Sequence, residues 1–310
     1  MKLISVVTPT YNEAENVREV YLQTKVVFAG LSSYDYEHIF IDNASTDTTV
    51  AILKEIAVSD PRVKVIVNAR NFGHIRSPYY GILQSSGDAT VLLVADLQDP
   101  PAMIAQFISL WEQGSKMVIG VKEESEESRL LSLIRRAYYR LVTRLSGTKL
   151  VRNFTGFGLY DRAIIDVLRT IDDPYPYFRG LVMEIGFAPA RVPYRQPVRK
   201  RGITKNNFYS LYDMAMLGIT SHSKVPLRIA TMLGFALSCL GMLVALGYLI
   251  AKIAFWDVFS AGVAPLVIGG FTFLSLQLFF IGLIGEYVAA IHTQVLRRPL
   301  VVEKERINFH

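Results

Sequence analysis

Two long stretches without a charged side chain set the first limit on how this chain folds. Residues 229–251 form an uncharged run of 23, and a second runs through 258–285. At about 1.5 Å of rise per residue, either run as a helix crosses roughly 30 Å of hydrocarbon. Core helices of a soluble protein, the alternative, carry a polar face or stop sooner. The runs therefore predict two transmembrane helices. Lys224 and Arg228 precede the first run, and Arg297, Arg298 and Lys304 follow the second, whereas the stretch between them has only Lys252 near Asp257. By the positive-inside tendency, both ends of this hairpin are expected in the cytoplasm of a cell-membrane protein. No short apolar segment follows the basic start Met1-Lys2, so no cleaved leader is expected.

The rest of the chain has a different texture. β-Branched runs at 3–8, 38–41, 63–68, 90–95 and 117–121 read as strands, and amphipathic stretches at 14–28, 48–59, 77–86 and 102–114 read as helices. Alternation of this kind predicts an α/β domain with a parallel sheet covered on both faces. Ligands of such sheets bind at the carboxyl ends of the strands. Two further segments, 128–147 and 208–221, suit the membrane surface. In the first, leucines and arginines recur at helical spacing, and Arg136 is one of the arginines placed to meet lipid phosphates. An ordinary surface helix is the alternative for that segment. The 33 Lys and Arg against 27 Asp and Glu leave a net charge of +6. No nucleic-acid motif accompanies it, so anionic lipid is the simpler partner. Cys239, the single cysteine, lies inside the first run, which excludes a disulfide within the chain.

The polar residues at the strand ends carry the chemistry. Thr8-Pro9-Thr10-Tyr11-Asn12-Glu13 follows the first strand and opens onto a helix, where Tyr11 and Glu13 can hold a base or ribose. Asp42 follows the second strand and can hydrogen-bond a uracil or guanine edge, while Asp47 and Thr48 suit helix capping. After the fourth comes Asp96-Leu97-Gln98-Asp99-Pro100-Pro101. A carboxylate and an amide oxygen two residues apart on an extended segment offer hard oxygen ligands to Mg2+ or Mn2+. An acidic turn that merely starts a helix is the competing reading. His74 after Gly73 can contact a phosphate or serve local hydrogen bonds as a polar loop histidine, and no second histidine stands at ligand spacing to suggest zinc. Gly269, Gly270, Gly282 and Gly285 allow close helix approach and, with it, a homo-oligomer.

Together these motifs resemble the family-2 glycosyltransferases, in particular the branch acting on polyprenyl phosphates. The likeness includes Pro9-Thr10-Tyr11-Asn12-Glu13, Asp42 with Ser45 and Asp47, Arg70-Asn71-Phe72-Gly73, Asp96-Leu97-Gln98-Asp99, Arg199 with Gly202, Thr204 and Lys205, and Lys224-Val225-Pro226-Leu227-Arg228. The resemblance implies a GT-A (Rossmann-like) catalytic domain over 1–205, an interfacial helix and linker over 206–228, two transmembrane helices over 229–293 and a cytoplasmic tail over 294–310. It implies Pro9, Tyr11, Glu13, Asp42, Arg70, Ala95 and Lys122 at a nucleotide-sugar, and Asp96 and Gln98 at the metal. Asp96, Arg199 and Lys205 would carry catalysis, with Arg179, Asn153 and Arg136 at the acceptor phosphate. The implied reaction is inverting hexose transfer to polyprenyl phosphate, with UDP-glucose the favoured donor and GDP-mannose or an amino-sugar nucleotide as alternatives. Val94, Asn153 and Gly158 stand where the family has aspartate, aspartate and arginine. Those departures leave a non-catalytic nucleotide-sugar-binding scaffold as the competing function.

Overall fold

The computed structural model describes residues 1–123, 151, 153–197, 225–255 and 263–309. The two surface segments, with Arg136, Arg199 and Lys205, lie outside the described residues. The N-terminal part alternates as the sequence predicts: β1 (Lys2–Thr10), α1 (Val17–Ala29), β2 (Tyr34–Asp42), α2 (Thr49–Ser59), β3 (Val63–Asn68), α3 (Gly73–Leu83), β4 (Ala89–Leu92), α4 (Met103–Glu112) and β5 (Met117–Lys122). Then come β6 (Phe154–Asp161), α5 (Arg162–Thr170), α6 (Phe178–Glu184), β7 (Ala190–Tyr194), the long helices α7 (Val225–Ala254) and α8 (Val263–Val295), and β8 (Glu303–Ile307).

The eight strands make one sheet in the order β7-β5-β6-β4-β1-β2-β3-β8. It is mixed rather than parallel. β1 to β4 pair in parallel, but β6 runs antiparallel to both β4 and β5, and β8 runs antiparallel to β3. Side chains along β1 alternate between two cores: Ile4 and Val6 join Phe107, Ile108 and Trp111 of α4, while Val7 joins Tyr79 and Ile82 of α3 and Ile164, Ile165 and Leu168 of α5. Both faces are covered, so the central strands read as near-continuous apolar runs. α1 and α2 pack through Val17, Tyr21, Leu53 and Ile56 against Phe40, Val63 and Val65. Asp161, at the end of β6, ties α4, the residue before β5 and α5 together: it accepts from Trp111 Nε1 at 2.7 Å, Lys116 Nζ at 3.0 Å and, capping α5, the Ala163 amide at 3.0 Å.

Gly158 shows why a charged side chain is missing from the middle of β6. A Cβ there would lie 2.4 Å from the Val118 carbonyl oxygen of the neighbouring strand. No L side chain fits without moving the sheet.

α7 and α8 are 30 and 33 residues long, each long and apolar enough to cross a membrane. Phe235, Met242, Ile253, Phe271, Phe279 and Ile291 are among the apolar side chains they leave exposed. Beyond α8, where the sequence predicts only a tail, β8 returns to cover the open edge of β3. It is fastened by Tyr80 Oη donating to Glu303 at 2.9 Å, by Asn308 Nδ2 donating to the Ala57 and Val63 carbonyls at 2.8 Å each, and by a Lys54–Glu305 ion pair at 2.6 Å.

Candidate active site

The carboxyl ends of β1 to β4 converge on a cavity of about 650 Å³ lined by Pro9, Tyr11, Glu13, Val94 and Arg179, among others. Its walls are mostly apolar, with Tyr79, Leu92, Tyr177 and Phe178 prominent. Of the predicted site residues, Pro9, Tyr11, Glu13 and Arg179 face this space; the side chains of Asp42, Arg70, Ala95, Asp96, Gln98, Lys122 and Asn153 do not line it.

The loops around the cavity hold one another in place. Asn12 adopts a left-handed conformation (φ 56°), its amide donating to Ser45 Oγ at 2.8 Å and its Oδ1 accepting from the Thr46 amide at 2.8 Å. The Glu13 amide donates to Thr49 Oγ1 at 2.9 Å, and Asn16 Nδ2 donates to the Glu13 carboxylate at 2.6 Å. Asp42 is wholly buried, accepting from Ser45 N at 2.8 Å, Ser45 Oγ at 2.5 Å and Thr10 Oγ1 at 3.2 Å. Burial raises its pKa against those hydrogen bonds, and the charge of Asp47 adds to the rise. Asp42 thus braces the β1 and β2 loops in this state. Asp47 is structural as well, accepting from the Thr49 amide at 2.9 Å at the start of α2.

Asn43, which the sequence reading passes over, ties these loops to the one after β3. Its Nδ2 donates to Asn71 Oδ1 at 2.8 Å and to the Gly73 carbonyl at 3.1 Å; its Oδ1 accepts from the Phe72 amide at 2.8 Å and Asn68 Nδ2 at 3.2 Å. A buried amide with all these positions filled is a rigid brace. Gly73 opens α3 at φ 87°, a conformation that favours glycine, and so brings Asn71, Gly73 and His74 to the cavity wall. His74 is pushed down by burial and by the positive charge of Arg179. It lines the cavity from the first turn of α3 rather than from a loop.

The fourth strand end differs from its predicted form. β4 stops at Leu92, and the Asp96 segment is a turn with Leu97 left-handed (φ 57°), not an extended segment. The Gln98 amide donates to Asp96 Oδ1 at 3.1 Å across that turn. Asp99 is buried and accepts from Tyr194 Oη; burial raises its pKa, opposed by that hydrogen bond and by Lys122, with Asp96 adding repulsion. Lys122 is pushed down by burial, held up by Asp99 and Asp96, and lowered again by Arg179. Asp96, Asp99, Lys122 and Arg179 therefore form one electrostatic group beside the cavity. Asn153 (φ 58°) belongs to its frame, with Nδ2 donating to the Lys122 carbonyl at 3.2 Å and the Lys122 amide donating to the Asn153 carbonyl at 3.2 Å. Ala95 is buried and does not line the cavity.

A divalent ion needs oxygen donors. Among the described residues no cluster of three or more Asp, Glu, His or Cys forms one by itself. Asp99 is engaged by Tyr194, and Val94 brings no donor. Asp96 and Gln98, the expected ligands, would give one carboxylate and one amide oxygen, a set compatible with an ion of the magnesium type, usually held by one or two carboxylates together with substrate phosphates.

Residues 5–169 match the family model "Glycosyl transferase family 2", more than half of the chain. The chain belongs to glycosyl transferase family 2. The SfII prophage-derived bactoprenol glucosyl transferase of Shigella flexneri is 32% identical over 307 residues, covering 97% of each protein. A prophage bactoprenol glucosyl transferase homolog of Escherichia coli K12 is 30% identical over 306 residues, covering 97% of this chain and 98% of that one. Among solved structures, glucosyl-3-phosphoglycerate synthase from Mycobacterium tuberculosis superimposes with a TM-score of 0.53 at 18% identity, over 73% of this chain and 81% of that one. The shared fold is the GT-A-like mixed α/β sheet.

Proposed function

We propose that this family-2 member transfers a hexose from a nucleotide-sugar to polyprenyl phosphate at the cytoplasmic face of the cell membrane, with inversion at the anomeric carbon. The observation that carries the reading is a cavity at the strand ends, walled by Pro9, Tyr11, Glu13 and Arg179 and flanked by the Asp96 turn, in a chain with two long, exposed, apolar helices. End-to-end similarity to bactoprenol glucosyl transferases supports the lipid acceptor and favours UDP-glucose as donor. The β3–β8 pairing supports a hairpin whose two ends share one side of the membrane, and the flanking arginines and lysines favour the cytoplasmic side.

Tyr11 and Glu13 hold the base and ribose, within loops that Asp42 and Asn43 keep rigid. A divalent ion on Asp96 and Gln98 would neutralise the departing nucleotide. Lys122, with Arg199 and Lys205, contributes positive charge to the pyrophosphate. Arg179 steadies the acceptor phosphate, with Asn153 and Arg136 as supporting contacts. A phosphate monoester is largely ionised near neutral pH, so its oxygen attacks the anomeric carbon without a protein base. Catalysis reduces to positioning and charge neutralisation. The test is incubation of the purified full-length protein with undecaprenyl phosphate, a divalent cation and, in parallel, UDP-glucose, GDP-mannose and amino-sugar nucleotides. Hexose in the lipid phase from UDP-glucose is the expected result; label released only as free sugar would overturn the lipid acceptor.

A further inference from the structure

A group of arginines lies outside the cavity, at the foot of the second long helix. Residues 70–77 divide in two: Asn71, Gly73, His74, Ile75 and Ser77 line the cavity, whereas Arg70, Phe72 and Arg76 do not. The Arg70 guanidinium lies 4.1 Å from the Phe72 ring centre and that of Arg76 lies 5.4 Å from the same ring. Arg76 donates to the carbonyl of Pro299, which brings the exit of α8, with Arg298 next in the chain to Pro299, beside Arg76. Among the described residues, none of Arg70, Arg76 and Arg298 forms an ion pair with a carboxylate. Arg76 Nε is buried without an acceptor. Burial and the neighbouring charge of Arg70 push the Arg76 pKa down, Tyr175 opposes this, and Arg298 adds to the fall.

Two guanidiniums at one ring, with Arg298 next in the chain to the Pro299 contact, repel one another without a counter-ion, and a buried donor without an acceptor costs free energy. An anion relieves both. Its nature follows from position. The apolar stretch of α8 ends at Val295, three residues before Arg298, so the group stands at the level of lipid headgroups if the long helices span the membrane. We propose that Arg70, Arg76 and Arg298 form a binding site for the phosphate of an anionic membrane lipid, beside the reacting centre and separate from it. The proposal rests on the membrane reading of α7 and α8 but not on the identity of donor or acceptor. Because this site borders the loop that walls the cavity, a bound headgroup would fix the catalytic domain against the bilayer with the cavity facing it.

The test uses the purified full-length protein in neutral detergent, titrated separately with phosphatidylglycerol, phosphatidylcholine and undecaprenyl phosphate, with bound lipid counted by native mass spectrometry. Wild type should retain phosphatidylglycerol over phosphatidylcholine. Each interfacial arginine is worth about fivefold in affinity, so R298Q should weaken phosphatidylglycerol binding about fivefold and R76Q/R298Q on the order of 30-fold. R76K/R298K, which keeps the charge, should retain most of it. Equal retention of the two phospholipids by wild type would overturn the proposal, as would a lysine pair as weak as the glutamine pair. Arginine-dependent retention of undecaprenyl phosphate alone would also overturn it and make the cluster an acceptor station. Release of the chain from membranes by alkaline carbonate without detergent would instead refute the membrane reading itself.

Discussion

In the proposed reaction a divalent ion at Asp96, whose Oδ1 accepts from the Gln98 amide, would offset the charge of the departing nucleotide. Asp96→Ala is expected to lower transfer at least 1000-fold with an unchanged melting temperature; near-normal turnover would remove it from the metal site. Asn43 should behave in the opposite way. Asn43→Ala leaves the Phe72 amide without a partner and Asn68 Nδ2 with Ser77 Oγ alone, at a cost of about 2 kcal/mol, read as a lower Tm together with a raised donor KM. The position of Pro9, Tyr11 and Glu13 at the cavity was legible because a proline turn at a strand end is a local pattern, whereas Asp42 and Asp96 stand at strand ends with side chains that do not line it. Asn43 was not legible, since its role depends on Asn68, Asn71 and Gly73 meeting it in space. His38 adds a pH dependence. It is fully buried with its Nε2 2.9 Å from Thr8 Oγ1, and burial pushes its pKa down to about 3 against a weaker upward pull from Asp60. The unfolded state then takes up a proton near pH 6.5 while the folded state does not, so this contribution is full above 6.5 and is lost as pH falls toward 3. The slope is at most about 1.4 kcal/mol per pH unit. Thermal melts between pH 7 and 5 should show the fall, and His38→Phe should flatten it.

The elements up to β5 follow from periodicity because each is a contiguous run with one dominant spacing. What sequence reasoning missed are the strands whose direction is set by distant partners. β6 inserts antiparallel between β4 and β5, and β8 arrives from beyond α8 to close the β3 edge. A five-residue strand of sequence Glu-Lys-Glu-Arg-Ile carries almost no apolar signal; its ion pair with Lys54 and hydrogen bond with Tyr80 fix it instead. Deleting residues 301–310 should uncover β3, lower the Tm and promote aggregation, as measured by thermal melts and size-exclusion chromatography. Gly158→Ala should destabilise by about 3 kcal/mol, because its Cβ meets backbone rather than a side chain that can swing away; an unchanged denaturation midpoint would contradict the close packing.

Across the whole molecule, a cavity at the strand ends is joined to two long apolar helices through the segment between Val295 and Glu303. Gln294, in the last turn of α8, donates to Asp173 at 2.8 Å, just before the Pro176–Arg179 wall of the cavity, and Arg76 holds Pro299 from the α3 side. The central claim is that one site takes both a water-soluble donor and a membrane-bound acceptor, and this arrangement supports it. Its most direct measurement is the mass of the lipid recovered after the full-length protein, Mg2+ or Mn2+, undecaprenyl phosphate and UDP-glucose are incubated together. The account predicts undecaprenyl phosphate heavier by one hexose, absent without the divalent cation and absent with Asp96→Ala. Unmodified undecaprenyl phosphate alongside consumed nucleotide-sugar would contradict it.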